Sequence, residues 1–128
     1  MEIFMEKLLA FYFDDTEYRK LRRAARSLHI PCEAVDAADY SQTLESLAAG
    51  RKNPAVSPYN GGVPDKRLLL ICGLADKRLD ALLAALKKAG VQTDYKAILT
   101  PSNRRWTVLR LLLELGAEAA AYSSNQSL

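Results

Sequence analysis

Four short apolar stretches punctuate the chain, and the apolar positions between them recur at helical spacing. Leu8-Leu9-Ala10-Phe11-Tyr12-Phe13 and Leu68-Leu69-Leu70-Ile71-Cys72 run unbroken. A strand with one wet face alternates, so an unbroken run suits a strand covered on both faces. Cys32-Glu33-Ala34-Val35 and Tyr95-Lys96-Ala97-Ile98 mix charge into the run, which suits the edges of a sheet. Leu21, Ala24, Ala25 and Leu28 make one helical stripe; Leu79, Leu82, Leu83 and Leu86 make another, at i, i+3, i+4 and i+7. Asp14, with Glu17 three residues on, predicts a capping box, and Gly90 a left-handed stop. A short helix is expected from Thr43 to Ala49. A longer one follows Thr107 on Val108, Leu111, Leu112 and Leu115, with Leu109 and Leu113 widening its apolar face.

The order is therefore βαβα twice. It predicts a single small α/β domain with a four-stranded, mainly parallel sheet in the order 2-1-3-4 and helices on both faces. Residues 6–49 form the first half, 50–65 a loop or linker, 66–122 the second half, and 123–128 a frayed tail. The prolines and glycines of RKNPAVSPYNGGVP exclude a regular element from the linker. The halves align as an internal repeat: Leu8 on Leu68, the Leu21 stripe on the Leu79 stripe, Ala34-Val35 on Ile98-Leu99, Asp39 on Asn103, and Thr43-Leu44 on Thr107-Val108. Ligands of parallel sheets bind past the carboxyl ends of the strands. That places a crevice between Asp14 and Asp15 on one side and Cys72 and Gly73 on the other.

The stretch Thr100 to Trp106 is the stronger candidate site. It leads from the fourth strand into a helix start, where free N–H groups and the positive dipole end attract anions. Arg104 and Arg105 add positive charge, and Arg110 repeats it in the first turn, although acidic residues suit a helix start better. The reading is that Arg104 and Arg105 grip a small anionic ligand, with Thr100, Ser102 and Asn103 hydrogen bonding to it and Trp106 fixing the loop. The plain alternative is an internal salt bridge to acids of the first half such as Asp36 or Asp39.

The same region carries a resemblance. Cys72-Gly73-Leu74 and a Leu-rich helix, then Thr100-Pro101-x-Asn103-x-x-Trp106-Thr107 and a second Leu-rich helix, resemble the bacterial domain of unknown function 3783 family over about Arg67 to Leu115. The chain departs from that pattern at Ala75, where Ser is common, and at Arg110, where Glu is usual. The resemblance implies no activity, cofactor or catalytic residue.

Composition narrows the rest. With 49% hydrophobic and 26% charged residues, the chain reads as a soluble globular protein. Residues 1–60 carry eight Lys/Arg against nine Asp/Glu; residues 61–128 carry ten against six, so an anionic partner is expected on the second half. Cys32 and Cys72 lack a pairing signature and are expected reduced and buried. His29 and Cys32 are two ligands where zinc takes three or four, so no metal site is expected. No cofactor motif, signal peptide or membrane span is legible, and a cytoplasmic location follows. Asp14 and Asp15 resemble a magnesium pair after a strand, but capping accounts for Asp14. Arg19, Arg22, Arg23 and Arg26 form a basic helix stripe that a solvated face also accounts for. The function expected is a small binding or regulatory domain without chemistry of its own. An enzyme acting on a phosphorylated or carboxylated small molecule comes second, and weak nucleic-acid association through the arginine stripe third. A homodimer through the last helix is also expected, from the surplus flank at Leu109 and Leu113.

Overall fold

The computed structural model describes residues 4–126. Its elements are β1 (Lys7–Phe11), α1 (Asp15–Ser27), β2 (Cys32–Val35), α2 (Leu44–Ala49), β3 (Leu68–Cys72), α3 (Asp76–Ala89), β4 (Tyr95–Ile98) and α4 (Val108–Gln126), with a 3-10 turn at Ala37–Asp39. One sheet takes two strands from each half in the order β2-β1-β3-β4, with the charged strands at its edges. One side of the sheet packs Leu8, Ala10, Leu69 and Ile71 against α1 and α3 through Leu21, Ala24, Ala25, Leu82 and Leu86. The other side packs Leu9, Phe11, Leu68, Leu70 and Cys72 against α2 and α4 through Leu44, Leu47, Val108, Leu111 and Leu112. The unbroken apolar runs are thus covered on both faces.

The sheet is mixed. β1–β2 and β3–β4 are parallel, but the central pair β1–β3 is antiparallel, with Leu9 opposite Leu70 and Phe11 opposite Leu68. Apolar content reports burial and is blind to strand direction. The long connection 51–67 delivers the chain to the other end of the sheet. The two halves are consequently related by a twofold axis through the Leu9–Leu70 pair.

That axis corrects the internal alignment. Moving Leu8 onto Leu68 would exchange the two faces, because a one-residue slip turns every side chain over. The core clusters require Leu8 to match Leu69 and Leu9 to match Leu70. The helices follow the same offset. Leu21 matches Leu82, and Ile30 N–H to Ala25 C=O at 3.0 Å matches Val91 N–H to Leu86 C=O at 3.1 Å. Even the left-handed residues coincide: Tyr12 (φ 67°) with Gly73 (71°), and His29 (57°) with Gly90 (72°). In the edge strands, Leu9 pairs with Glu33 where Leu70 pairs with Ala97, so Ala34 stands where the second half has Ile98 and Val35 where it has Leu99, as the sequence alignment had them.

His29 ends α1 in a conformation that disfavours every residue with a Cβ, and it is exposed. Its counterpart is glycine. Removing the left-handed strain outweighs the added chain entropy, so His29→Gly is expected to raise stability by about 0.5–1 kcal/mol. Urea midpoints of the two proteins would check this; an unchanged or lower midpoint contradicts it.

The Asp14 side chain accepts Glu17 N–H at 2.8 Å, but the Glu17 carboxylate goes to Lys20 and Gln92 N–H, so only half of the capping box forms; Thr43 and Thr107 cap α2 and α4. The linker contains no regular element but lies on the first half. Buried Gln42 exchanges two hydrogen bonds with the Asn53 backbone, at 2.9 and 3.1 Å, and Tyr59 N–H donates to Ala38 C=O. α4 remains helical to Gln126, overlapping the tail expected at 123–128; residues 127–128 lie outside the described residues. Leu109 packs against the core, whereas Leu113 is 74% exposed, so the surplus flank of α4 reduces to one leucine. Among the described residues no helix is long and apolar enough to cross a membrane.

Candidate functional site

Pro101 cannot extend the β4 ladder, and the chain turns on Asn103 instead. The Asn103 amide oxygen accepts Thr100 N–H at 2.9 Å, and its amide nitrogen donates to Ile98 C=O at 3.0 Å. The Asn103 backbone N–H donates to Thr100 Oγ1 at 3.2 Å, and Trp106 N–H donates to Asn103 C=O at 2.9 Å. The side chains expected to face a ligand, Thr100 and Asn103, hold the loop together. Trp106 packs against the core and carries the Arg110 guanidinium 4.4 Å above its ring, which, with Glu114 at 3.8 Å, accommodates the cation in the first turn of α4.

The start of α4 is not an open cup of N–H groups. Arg110 N–H donates to the Thr107 hydroxyl at 3.1 Å, and Leu109 N–H donates to Tyr40 C=O at 3.3 Å. The latter bond has a twofold mate, Glu45 N–H to Arg104 C=O at 2.9 Å, and Thr43 bridges Thr107 on the axis. The loop before α4 and the loop before α2 clasp each other. Tertiary contact with the first half thus uses donors that the helix start alone would leave open.

Arg104 finds an acid of the first half, as the plain alternative anticipated, but the partner is Glu45, at 3.2 Å. Asp39 is engaged by Lys52 at 2.8 Å instead. Arg105 and Ser102 are exposed. Beside Arg104 opens a cleft of ≈ 550 Å³, lined also by Arg51, Glu45, Ser46, Phe4 and Met5. Glu45 and Ser46 come from the first half and Arg51 from the start of the linker, and none of them carried a motif. Only the pairing of the two loops across the axis brings them to Arg104.

The second candidate crevice does not form. With β1 and β3 antiparallel, Phe11 lies beside Leu68 while Lys7 lies beside Cys72. Asp14 and Asp15 therefore sit at one end of the sheet, and Cys72 and Gly73 at the other. Asp14 faces Arg67 at 3.2 Å, and the cap it gives Glu17 N–H, followed by the Arg67 charge, holds its carboxyl below the usual range. Gly73 belongs to a separate hollow of ≈ 350 Å³ at the ends of β3 and β4, walled mainly by apolar side chains.

The titratable groups offer little nucleophilic power. Both cysteines are free; burial pushes the Cys32 thiol up to about 11 and the Cys72 thiol to about 12. Neither is a thiolate at neutral pH, and the thiolate is the reactive form. Among the described residues no group of three or more His, Cys, Asp or Glu side chains could hold a metal ion.

The loop, β3, α3, β4 and α4 together coincide with a family match: residues 67–122 fit the family described as "Domain of unknown function (DUF3783)". The second half is thus similar to the DUF3783 family over that segment. The match extends beyond Leu115, the limit suggested by the sequence pattern, to residue 122. No curated protein and no solved structure matches the chain. The matched segment contributes Arg104 to the cleft, α2 contributes Glu45 and Ser46, and the start of the linker contributes Arg51.

Proposed function

We propose that the protein is a small binding module that takes an anionic ligand in the cleft beside Arg104, with no chemistry of its own. The observation that carries this reading is the composition of that cleft: two guanidinium groups, Arg104 and Arg51, and the hydroxyl residue Ser46 around an open volume of ≈ 550 Å³. Glu45 is an internal competitor among the described residues. Its carboxylate occupies the Arg104 fork at 3.2 Å, at a site where the two side chains are 37% and 25% exposed, so exchange for a phosphate or carboxylate costs little. Glu45 also lies across the clasp between the halves, which couples ligand exchange to the contact between them. The high thiol values of Cys32 and Cys72 weigh against an enzyme that uses a cysteine nucleophile.

The test is a thermal-shift titration with inorganic phosphate, pyrophosphate and citrate, since a ligand that binds only the folded state raises Tm. Glu45→Gln is expected to strengthen the shift, roughly tenfold in apparent affinity if removing the competing charge gains about 1.4 kcal/mol. Arg51→Gln with Arg104→Gln is expected to abolish it. No shift with any of the three anions, in either the wild type or Glu45→Gln, would overturn the reading. So would a shift that survives loss of both arginines.

A further inference from the structure

We infer that the exposed face of α1 is a docking surface for the phosphodiester backbone of a nucleic-acid duplex, a surface distinct from the Arg104 cleft. Arg19, Arg22, Arg23 and Arg26 are all exposed on this helix. They stand at i, i+3, i+4 and i+7, a spacing that puts neighbouring side chains about 5–6 Å apart on one face. None of the four joins an ion pair among the described residues; Arg22 alone has a side-chain partner, the Tyr18 ring at 5.9 Å.

The gathering of four unpaired charges on one helix face is what calls for a partner. Lys7, Lys52, Arg67 and Arg78 have carboxylates in Glu33, Asp39, Asp14 and Glu6, and cations without an ion pair among the described residues, such as Lys66, Lys77 and Lys96, stand on separate segments. Of the two acids of α1, Glu17 is buried and already committed to Lys20 at 2.8 Å and to Gln92 N–H at 2.9 Å, and exposed Asp15, one turn before Arg19, forms no ion pair with it. Like charges at i, i+3 and i+4 repel and weaken a helix. A face that only needed solvation would be served as well by uncharged polar residues. All four are arginine, whose planar fork grips phosphate oxygens two at a time. His29 extends the donor set: with Arg22 and Arg26 it lines a shallow hollow of ≈ 290 Å³ at the end of the helix.

The geometry favours a duplex over the other polyanions. From Arg19 to Arg26 the stripe is about 10 Å long at 1.5 Å per residue. A duplex presents roughly one phosphate per 1.7 Å of its axis, enough to meet all four guanidinium groups at once. A lipid surface is disfavoured, because the apolar face of α1 (Leu21, Ala24, Ala25) is buried in the core and unable to insert. With Tyr18 the one aromatic side chain beside the stripe and already beneath Arg22, no platform for base stacking is offered. Binding should therefore be indifferent to base sequence.

The experiment uses the full-length protein and a fluorescein-labelled 20-bp DNA duplex of arbitrary sequence, read by anisotropy. Neutralising about four phosphates predicts a log–log salt slope of about −3.6, a loss of affinity of roughly 150-fold between 50 and 200 mM salt. Replacing Arg19, Arg22, Arg23 and Arg26 together by Gln should abolish binding at 50 mM salt with Tm unchanged or raised. Arg22→Gln and Arg26→Gln singly should each flatten the slope by about one, a readout available even if the fourfold variant folds poorly. A control that removes the same charge elsewhere, Lys66, Lys77, Lys88 and Lys96 to Gln, should bind within about fivefold of wild type, using four exposed lysines off this face. The inference is overturned by absence of duplex binding at 50 mM salt, or by binding that the fourfold arginine variant retains. It is equally overturned by a lysine control as weak as the arginine variant, or by phosphatidylserine vesicles or polyglutamate binding as tightly as the duplex.

Discussion

Gly73→Ala is expected to cost about 2–5 kcal/mol, enough to remove much of the stability of a domain of this size. Two effects add. Gly73 has φ 71°, a left-handed conformation that costs a residue with a Cβ about 1–2 kcal/mol. The added methyl would also collide with the backbone of Phe4 and Met5, which no rotamer change relieves; overpacking of this kind costs about 1–3 kcal/mol. Its twofold mate separates the two effects. Tyr12 has nearly the same φ, 67°, yet holds a large side chain that is 46% exposed. Left-handed backbone is therefore affordable at this turn, and the seating of the N-terminal segment makes glycine necessary at one copy only. Urea unfolding of Gly73→Ala is the measurement, and a midpoint equal to wild type would show that Phe4 and Met5 are not seated on Gly73.

Tyr40→Ala is the second large effect, expected at about 3–5 kcal/mol, the usual cost of deleting a large buried ring. Tyr40 is 2% exposed and meets the Phe11 ring edge-on, centroids 5.8 Å apart at 74°. Its carbonyl is one arm of the clasp, accepting Leu109 N–H. The other copy of this position is Arg104, which the clasp uses through its carbonyl and an ion pair with Glu45. Arg104→Ala should cost only about 1 kcal/mol or less, since partly exposed ion pairs contribute little. At about 4 °C per kcal/mol the pair is readily distinguished by Tm. Equal losses from the two substitutions would contradict the division of labour, in which one copy packs in the core and the other lies in a partly exposed ion pair.

The hydrophobic pattern carried strand order, edge strands, caps and the two-sided burial, because each depends on residues close in sequence or on simple covering of a face. Strand direction escaped it. Leu8–Phe13 and Leu68–Cys72 have the same composition whichever way they run, and the linker that decides the matter has no periodicity. That single reversal dissolved the crevice between Asp14 and Gly73 and moved the internal alignment of the central strands by one residue. The loop 100–106 was legible as a turn into a helix with Trp106 as its anchor, whereas Asn103, read toward a ligand, holds the turn itself. What the sequence could not supply was its partner. Whether Thr100 and Asn103 turn to a ligand or to their own backbone is decided by the clasp, and Glu45 reached Arg104 only because the axis brings residues 43 and 107 together. The isolation of the α1 arginines was likewise invisible, since it depends on Glu17 being buried and used by Gln92 from the other half.

The antiparallel seam also separates two units of description that usually coincide. The DUF3783 match begins at residue 67 and so includes β3 and β4 but excludes β1, which pairs with the other edge of β3. Both core clusters draw residues from 6–49 as well as from 67–122. The family segment is, in this protein, half a folding unit: taken alone it would expose one edge of β3 and the apolar surfaces of α3 and α4 that the first half covers. Any chain bearing this segment in this arrangement has to find the missing strand, either from its own sequence, as here, or from a second molecule. The boundary that sequence similarity draws is thus a boundary of inheritance, and the boundary of cooperative folding lies sixty residues earlier, at β1.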